Sequence, residues 1–431
     1  MRADRQGARS LSDPGPGDHP PGDPGPGDTA RTPTAPPKRP SLFILIAISA
    51  IGPLSLNIFV PSMPGLVAAL GTSYATAQLT LTLYLIGMGA CQLFYGPLSD
   101  RFGRRPVLIG GLVLYLVASL AAALAASIEI LIAARLFQAI GGGAGLTLAR
   151  AIVRDLYARE RAASILGYIT MFFALAPMVA PVIGGLLDGI FGWRASFFLL
   201  VIFGALMLWA VLLHLHETNP APGRRGFRPL IDGYLFLIAR PRFWAYAITL
   251  GASSGVFFSF LGGAPFLMVN VLGYEPVDYG LGFIVISLAF ILGNFFAGRY
   301  SERAGIERML ALGVAATWLG PALGLLLIAI FPLAPWLVFL PMAIAAAGNG
   351  VANANCFAGA VSIDPNLAGT AAGLAGAMQI GLGAVTSQAV GLLQGTIAPA
   401  MFYVMFASAC VAAAVQIALN LHDRRATRAA P

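Results

Sequence analysis

Apolar segments of about twenty residues, separated by short polar or Gly/Pro-containing breaks, follow one another from Ser41 almost to the end of the chain. A helix needs about 20 apolar residues to cross a bilayer, and the period-two alternation of a membrane β-barrel is absent. The pattern therefore predicts an all-α membrane protein with twelve transmembrane helices. The predicted spans cover residues 42–66, 76–97, 106–126, 129–152, 163–187, 195–215, 243–270, 277–299, 307–330, 334–360, 367–393 and 398–420.

The longest internal break divides the twelve spans into two groups of six. We predict an N-terminal six-helix bundle at 42–215, a central loop at 216–242 and a C-terminal six-helix bundle at 243–421. Residues 1–41 contain DPGPGD twice and few large apolar side chains, which predicts a disordered tail and not a signal peptide. Residues 422–431 form a second, short tail.

Composition and charge agree with this organisation. The chain is 58% apolar and 10% charged, whereas about 25% of the residues in a soluble domain are charged. Soluble enzymes, nucleic-acid binders and secreted disulfide scaffolds are thereby excluded. Of the 26 Lys and Arg residues, 24 fall on one side of a twelve-span arrangement and Arg194 falls on the other. The positive-inside rule places both termini and the central loop in the cytoplasm.

A short loop motif occurs twice, after predicted spans 2 and 8, at a distance of 202 residues. Such a repeat indicates an internal duplication of six-span units. We expect the glycine at its start to permit close helix approach, and Asp100 to cap a neighbouring helix while it pairs with arginine. The alternative is a basic loop that only sets topology, which is favoured for Arg105. The first copy contains Gly96, Asp100, Arg101, Gly103, Arg104 and Arg105, and the second contains Gly298, Glu302, Arg303 and Gly305.

A charged residue lies inside predicted span 4. Arg135 and Gln138 are three residues apart and therefore share a helix face. A charge within a span costs several kcal/mol unless it faces a wet cavity or a partner, so a functional role is the first interpretation. Snorkelling of Arg135 to the membrane surface is the alternative.

Predicted span 5 carries Pro177, Pro181, Gly184 and Gly185. Two prolines four residues apart predict a kinked helix, and the glycines predict tight packing on a neighbour. This segment is a candidate gate. A kink with only a structural role is the alternative interpretation.

These motifs together resemble one known family. The loop after span 2 is similar to the signature loop of the major facilitator superfamily, and the span 5 segment resembles the "antiporter motif" of its exporters. The motifs from Gln78 through span 5 are similar to the bicyclomycin/chloramphenicol-resistance branch of drug:H⁺ antiporters. The similarity continues at Gly348–Asn355 and at Gln379, so it covers nearly all of residues 42–420. The resemblance implies two six-helix bundles around a central cavity, alternating access and proton-coupled export of a small-molecule drug.

One departure from that branch concerns the proton. Its first span usually carries an acid and a tyrosine where this chain has Asn57 and Phe59, and no acidic residue falls near the middle of any predicted span. Polar residues are the remaining candidates for lining a cavity, with interhelical hydrogen bonds of about 0.6 kcal/mol as the alternative role for each. These residues are Asn57, Tyr84, Gln92, Gln138, Tyr168, Asn294, Asn355 and Gln379.

We therefore expect a monomeric transporter of the bacterial inner membrane, in contact with lipid, that exports neutral or amphipathic compounds such as phenicol- or bicyclomycin-like drugs. An importer or a metabolite exporter with the same fold is the alternative. A membrane-embedded enzyme would need a cluster of His, acidic or Cys residues at one depth, which the sequence lacks. No nucleotide-binding loop occurs, and no cofactor, metal or nucleic-acid partner is expected. A sensor that transports nothing is a further alternative.

Overall fold

The computed structural model describes residues 40–219, 223, 228–394 and 399–429. The predicted N-terminal tail lies outside these residues except at positions 40 and 41, and the central loop is described only in part. Within the described ranges the chain is helical and contains no strand.

Twelve helices in this part of the chain are long and apolar enough to cross a membrane, which confirms the predicted number. The predicted boundaries agree with the helices to within a few residues. We refer to these helices as spans 1 to 12. They are Leu42–Ala69, Tyr74–Phe102, Arg104–Ala123, Ile128–Leu156, Ser164–Phe191, Arg194–His214, Pro241–Val271, Pro276–Ala304, Ile306–Ile330, Pro335–Val361, Pro365–Leu393 and Ala400–Leu421.

Several spans contain more than one helical segment or extend beyond the apolar core. Span 1 consists of Leu42–Ile58, a 3-10 turn at Val60–Ser62 and a short helix at Met63–Ala69, and span 7 ends in a π-helical turn at Leu267–Val271. The helix of span 12 continues to Ala429 and so takes in most of the predicted C-terminal tail.

The predicted central loop contains a helix, Arg228–Ile238, which we call the connecting helix. Its eleven residues are too few to span a bilayer, so the sequence pattern alone left them in the loop. Leu237 is fully buried, and Gly233 lies against Leu367 and Thr370 at the start of span 11. Tertiary packing therefore stabilises a helix that is too short to be stable alone.

The duplication is visible in the backbone. Spans 2 and 3 are joined at Gly103 with φ +97°, and spans 8 and 9 are joined at Gly305 with φ +85°. Only glycine adopts such angles without strain, so both copies of the motif use this residue for the same sharp turn between helices.

The two halves are joined by hydrogen bonds at one end of the molecule. Gln78 donates to Ser387 Oγ at 2.6 Å, and the Tyr74 hydroxyl donates to the Gly262 carbonyl at 2.9 Å. These residues lie at the ends of spans 2, 7 and 11 opposite the arginine-rich loops. We call this the outer end and the opposite one the inner end. At the inner half of span 5, in contrast, Tyr168 is 49% exposed and Phe172 41%.

Candidate substrate site and gating network

Arg135 lies inside the first half of the molecule, with no exposed surface. Its Nη1 donates to the Ser55 carbonyl at 3.0 Å and to Gln138 Oε1 at 2.6 Å, and Gln138 in turn donates to Ser119 Oγ at 2.8 Å. The arginine is thus held between spans 1, 3 and 4. Complete burial is at odds with the snorkelling alternative, in which the guanidinium reaches the membrane surface.

Aromatic rings surround this guanidinium. Its central carbon lies 4.1 Å from the ring centre of Tyr84, 5.3 Å from that of Phe59 and 5.8 Å from that of Phe197. A desolvated cation over an aromatic face gains about 2 kcal/mol or more. Arg135 Nε and Nη2 have no hydrogen-bond partner among the described residues. The buried charge is therefore stabilised by carbonyl, amide and aromatic groups, and two of its nitrogens retain unused donors.

Asn57 occupies the position in span 1 where the related branch carries an acid. It is buried and donates to the Pro53 carbonyl at 2.8 Å, whereas its Oδ1 has no partner in the described part of the chain. Span 1 thus offers an unpaired amide oxygen and no titratable group.

Acidic residues in the described spans all lie within five residues of a span end, which agrees with the sequence-based prediction. No group of three or more His, Cys, Asp or Glu residues in the described ranges is placed to hold a metal ion. The middle of the described spans therefore contains no carboxylate. These acids are Asp100, Glu129, Asp155, Asp188, Asp278, Glu302 and Glu307.

Neutral polar side chains meet in the second half. Gln379 donates to Ser254 Oγ at 2.7 Å, and Ser254 donates to Asn353 Oδ1 at 3.3 Å. Both Gln379 and Asn353 are half-buried. This chain joins spans 7, 10 and 11 and offers donors and acceptors without charge.

The structure brings Gln379 into this cluster but not Asn355, which is 1% exposed and, among the described residues, hydrogen-bonds only to Val351 of its own helix. Sequence reasoning missed Asn353. Asn353 lies four residues after Asn349, which donates to the Ser253 carbonyl. Residues four apart share a helix face, so this spacing was the signal that both asparagines face span 7. Tyr168 lies apart from these groups, on span 5.

The first loop motif forms an ion-pair network at the inner end. Arg104 contacts Asp100 at 2.6 Å and Asp155 at 3.0 Å, and it also donates to Ser99 Oγ at 2.6 Å. Arg101 lies over the Phe102 ring at 5.4 Å. The network ties the end of span 2 to the start of span 3 and to the end of span 4.

Asp100 does not cap a helix as predicted. The backbone N–H groups of Arg104 and Arg105 donate instead to Glu217, at 2.9 and 3.1 Å. Glu217 lies just after the end of span 6, and the fold places it beside the start of span 3. The first N–H groups of span 3 would otherwise have no side-chain cap. Sequence reasoning missed Glu217 because its partners lie more than 110 residues away.

Three further residues of this motif have different surroundings. A Cβ on Gly103 would lie 2.5 Å from Glu217 Oε2, so a glycine is needed there for space as well as for its backbone angle. No atom lies within 4 Å of a Cβ built on Gly96, and the prediction that it permits close helix approach is wrong for this conformation. The Arg105 side chain bonds to the Leu215 carbonyl at 2.7 Å and so has a structural contact besides its charge.

The second copy of the motif keeps the turn but not the ion pairs. Glu302 and Arg303 are exposed and pair with no described residue. The positions equivalent to Arg104 and Arg105 are Ile306 and Glu307. The two ends of the duplication therefore differ in charge, and only the first carries a closed network.

The glycines of span 5 lie at crossings with spans 1 and 8. A Cβ on Gly184 would lie 1.8 Å from the Ile58 carbonyl oxygen, and one on Gly185 would lie 2.7 Å from that of Pro276. The close approach predicted for this segment is present. The helix is continuous from Arg159 to Phe191, so Pro177 and Pro181 do not end it.

A comparison with known protein families identifies the family to which this chain belongs. The model of the family described as Major Facilitator Superfamily matches residues 45–388. The chain belongs to this superfamily. The predicted resemblance is thereby confirmed, and the twelve-helix arrangement is that of an MFS transporter.

Two curated relatives extend over most of this transporter. A chloramphenicol resistance protein from Pseudomonas aeruginosa is 35% identical over 76% of this chain and 75% of the relative. A bicyclomycin resistance protein homolog from Haemophilus influenzae is 29% identical over 87% of this chain and 94% of the relative. The similarity therefore includes the branch whose motifs the sequence carries.

A solved structure shows the same fold. The crystal structure of a POT family transporter in complex with a thioalcohol-conjugated peptide covers 89% of this chain and 96% of its own, with a TM-score of 0.72 and 15% identity. At that identity the similarity shows a shared arrangement of the helices and nothing more specific.

Proposed function

We propose that this transporter exports small neutral or anionic amphipathic compounds, of the phenicol or bicyclomycin type, from the cytoplasm across the bacterial inner membrane. The observation that carries the proposal is the charge of the core: Arg135 is buried there, and no described carboxylate lies near the middle of a span. A cation is most simply held by a carboxylate in a medium of low dielectric constant. A buried guanidinium repels cations instead and favours neutral or anionic compounds.

Alternating access is the transport mechanism in this proposal. The hydrogen bonds of Gln78 and Tyr74 close the outer end between the halves, and the inner half of span 5 is exposed. A compound in the cytoplasm would enter between the halves and meet the neutral cluster of Ser254, Asn353 and Gln379. Breaking the outer hydrogen bonds and closing the inner end would then release it outside.

Exchange with protons is the driving force we propose. Coupling requires a group whose proton competes with the substrate, directly or through a gate. Because the described core holds no carboxylate, the acids at the span ends are the remaining carriers. Asp188 at the outer end is half-buried, and Asp100 and Asp155 join the inner network.

The direct test is a resistance screen in a bacterial host whose own pumps have been deleted. We expect the chain to raise resistance to phenicols and not to quaternary cations, and Arg135→Ala to abolish this resistance at equal protein abundance. A protein that raises accumulation of a compound would be an importer. Reporter fusions after Gly226 and at the C-terminus test the orientation, and we expect both to report cytoplasm.

A further inference from the structure

Six aromatic residues of spans 7, 8 and 10 form one connected group in the second half of the molecule. The ring of Phe257 lies 5.4 Å from that of Phe258 and 6.0 Å from that of Phe283, edge-to-face in both cases. Edge-to-face pairs at such distances are favourable beyond the area that they bury, so the rings support one another. We call this group the aromatic cluster, and its members are Phe257, Phe258, Phe260, Tyr279, Phe283 and Phe339.

Phe257 is the member of the aromatic cluster with the most accessible surface. It is half-buried, whereas the other five are at most 9% exposed. Phe257 follows Ser254 by three residues, so the two share a face of span 7. Ser254 bonds to Gln379 and Asn353, which are also half-buried, and we call these three residues the Ser254 cluster. An accessible ring thus lies one helical turn from accessible polar groups, on the side of the outer end.

The aromatic cluster also fills the space between the two halves. It belongs to one apolar core with Leu81 and Tyr84 of span 2, which are fully buried. Met88, one turn closer to the inner end, is half-buried at the edge of this core, as Phe257 is. A compound that enters between the halves from the inner end therefore meets the Ser254 cluster first and Phe257 next, and the buried core closes the way beyond them.

This arrangement fits an aryl ring that is joined to hydroxyl and amide groups. Gln379 and Asn353 offer amide donors and acceptors, and Phe257 offers a ring against which a second ring can pack edge-to-face or offset. A phenicol carries a nitrophenyl ring at one end, followed by hydroxyl and amide groups. A bicyclomycin-type compound carries hydroxyl and amide groups but no aromatic ring. The two types of compound therefore differ in the contact that Phe257 can make.

We propose that Phe257 receives the aryl ring of a transported phenicol, while the Ser254 cluster binds the hydroxyl and amide groups of the same molecule. This assignment rests on the proposed function and names the part of the site that separates two types of substrate. Phe257 is then a specificity-determining residue, because it strengthens the binding of phenicols and adds nothing to the binding of bicyclomycin-type compounds.

Transport of two compounds into inside-out vesicles that contain the full-length protein tests the assignment. We expect Phe257→Leu to raise KM for a phenicol about fivefold, the scale of one aromatic contact, and to leave KM for bicyclomycin unchanged. Phe257→Tyr keeps the ring and should keep both values. Phe295→Leu is the matched control and should also keep both values, because Phe295 is 70% exposed and shares an outward face of span 8 with the exposed Leu288 and Leu292.

Tryptophan fluorescence in detergent measures the contact without transport. Phe257→Trp and Phe295→Trp each add one tryptophan to the five of the unmutated chain, and a nitrophenyl ring quenches tryptophan fluorescence on contact. We expect saturable quenching of the tryptophan added at position 257 and only linear quenching at position 295. A phenicol with a methylsulfonyl group in place of the nitro group should relieve the saturable quenching when it is added in excess.

An equal increase of KM for both compounds in Phe257→Leu would contradict the proposal, because it would indicate a general change in the shape of the site. An unchanged KM for the phenicol, or linear quenching at position 257, would also overturn it. Failure of the unmutated protein to transport either compound would overturn the proposed function instead. The quenching experiment would still decide in that case whether Phe257 contacts an aryl ring.

Discussion

The guanidinium of Arg135 lies 4.1 Å from the centre of the Tyr84 ring, entirely inside the first half of the protein. Its hydrogen bonds go to a backbone carbonyl and to Gln138, and no carboxylate of a described residue pairs with it. A buried cation with two unused donor nitrogens is costly to keep, and this cost is the reason to test whether Arg135 takes part in transport.

We expect Arg135→Ala to abolish export while the protein still inserts and accumulates. The substitution removes the positive charge from the core but leaves the apolar length of span 4 intact. Drug accumulation in cells and the amount of protein in membranes are measured together. Arg150→Ala is the matched control, since Arg150 is exposed on the same helix, and it should retain export. Wild-type export by Arg135→Ala would show that the buried charge has no part in transport.

Asn57→Asp should shift the substrate range toward lipophilic cations. The change places a titratable negative group in span 1, where low dielectric strengthens its attraction for a cation. Resistance profiles against a phenicol and a quaternary cation measure the shift. Asn355→Asp introduces the same group at a buried position whose one hydrogen bond among the described residues stays within its own helix, and it should not produce the shift. An identical profile for both variants would contradict a specific role for position 57.

Asn353→Ala should weaken recognition of the exported compound, with KM raised about fivefold. This is the scale of one hydrogen bond of about 1 kcal/mol. Asn355→Ala removes the same amide two residues away and should leave KM unchanged. Concentration-dependent transport in vesicles gives both values, and a larger effect of Asn355→Ala would move the site away from the Ser254 cluster.

Glu217→Ala should lower the midpoint of thermal unfolding by about 2 °C. Loss of a helix cap costs about 1 kcal/mol, and midpoint shifts of large domains are small for that energy. Glu302→Ala removes an exposed acid that pairs with no described residue and should leave the midpoint in place. Fluorescence-detected unfolding of the purified protein measures both. Equal midpoints for the two variants would mean that Glu217 does not stabilise the start of span 3.

Periodicity and charge predicted much of this fold because a bilayer imposes span length and loop charge on the sequence itself. The absence of an acid near the middle of the described spans followed from the same reasoning, which also placed Arg135 inside span 4 but left its snorkelling open. Glu217, Asn353 and the connecting helix were not predicted from the sequence. Each depends on a contact between segments distant in sequence: Glu217 with the start of span 3, Asn353 with Ser254, and Gly233 with span 11.

Uptake into inside-out vesicles with an imposed pH gradient tests the central claim most directly. A neutral phenicol and a lipophilic cation are compared on the unmutated protein, with Arg135→Ala vesicles as the blank. The account predicts proton-driven uptake of the phenicol and none of the cation, because the core carries Arg135 and no described carboxylate near its middle. Strong proton-driven uptake of the cation would contradict it, and would mean that an acid at a span end, such as Asp188, reaches the substrate.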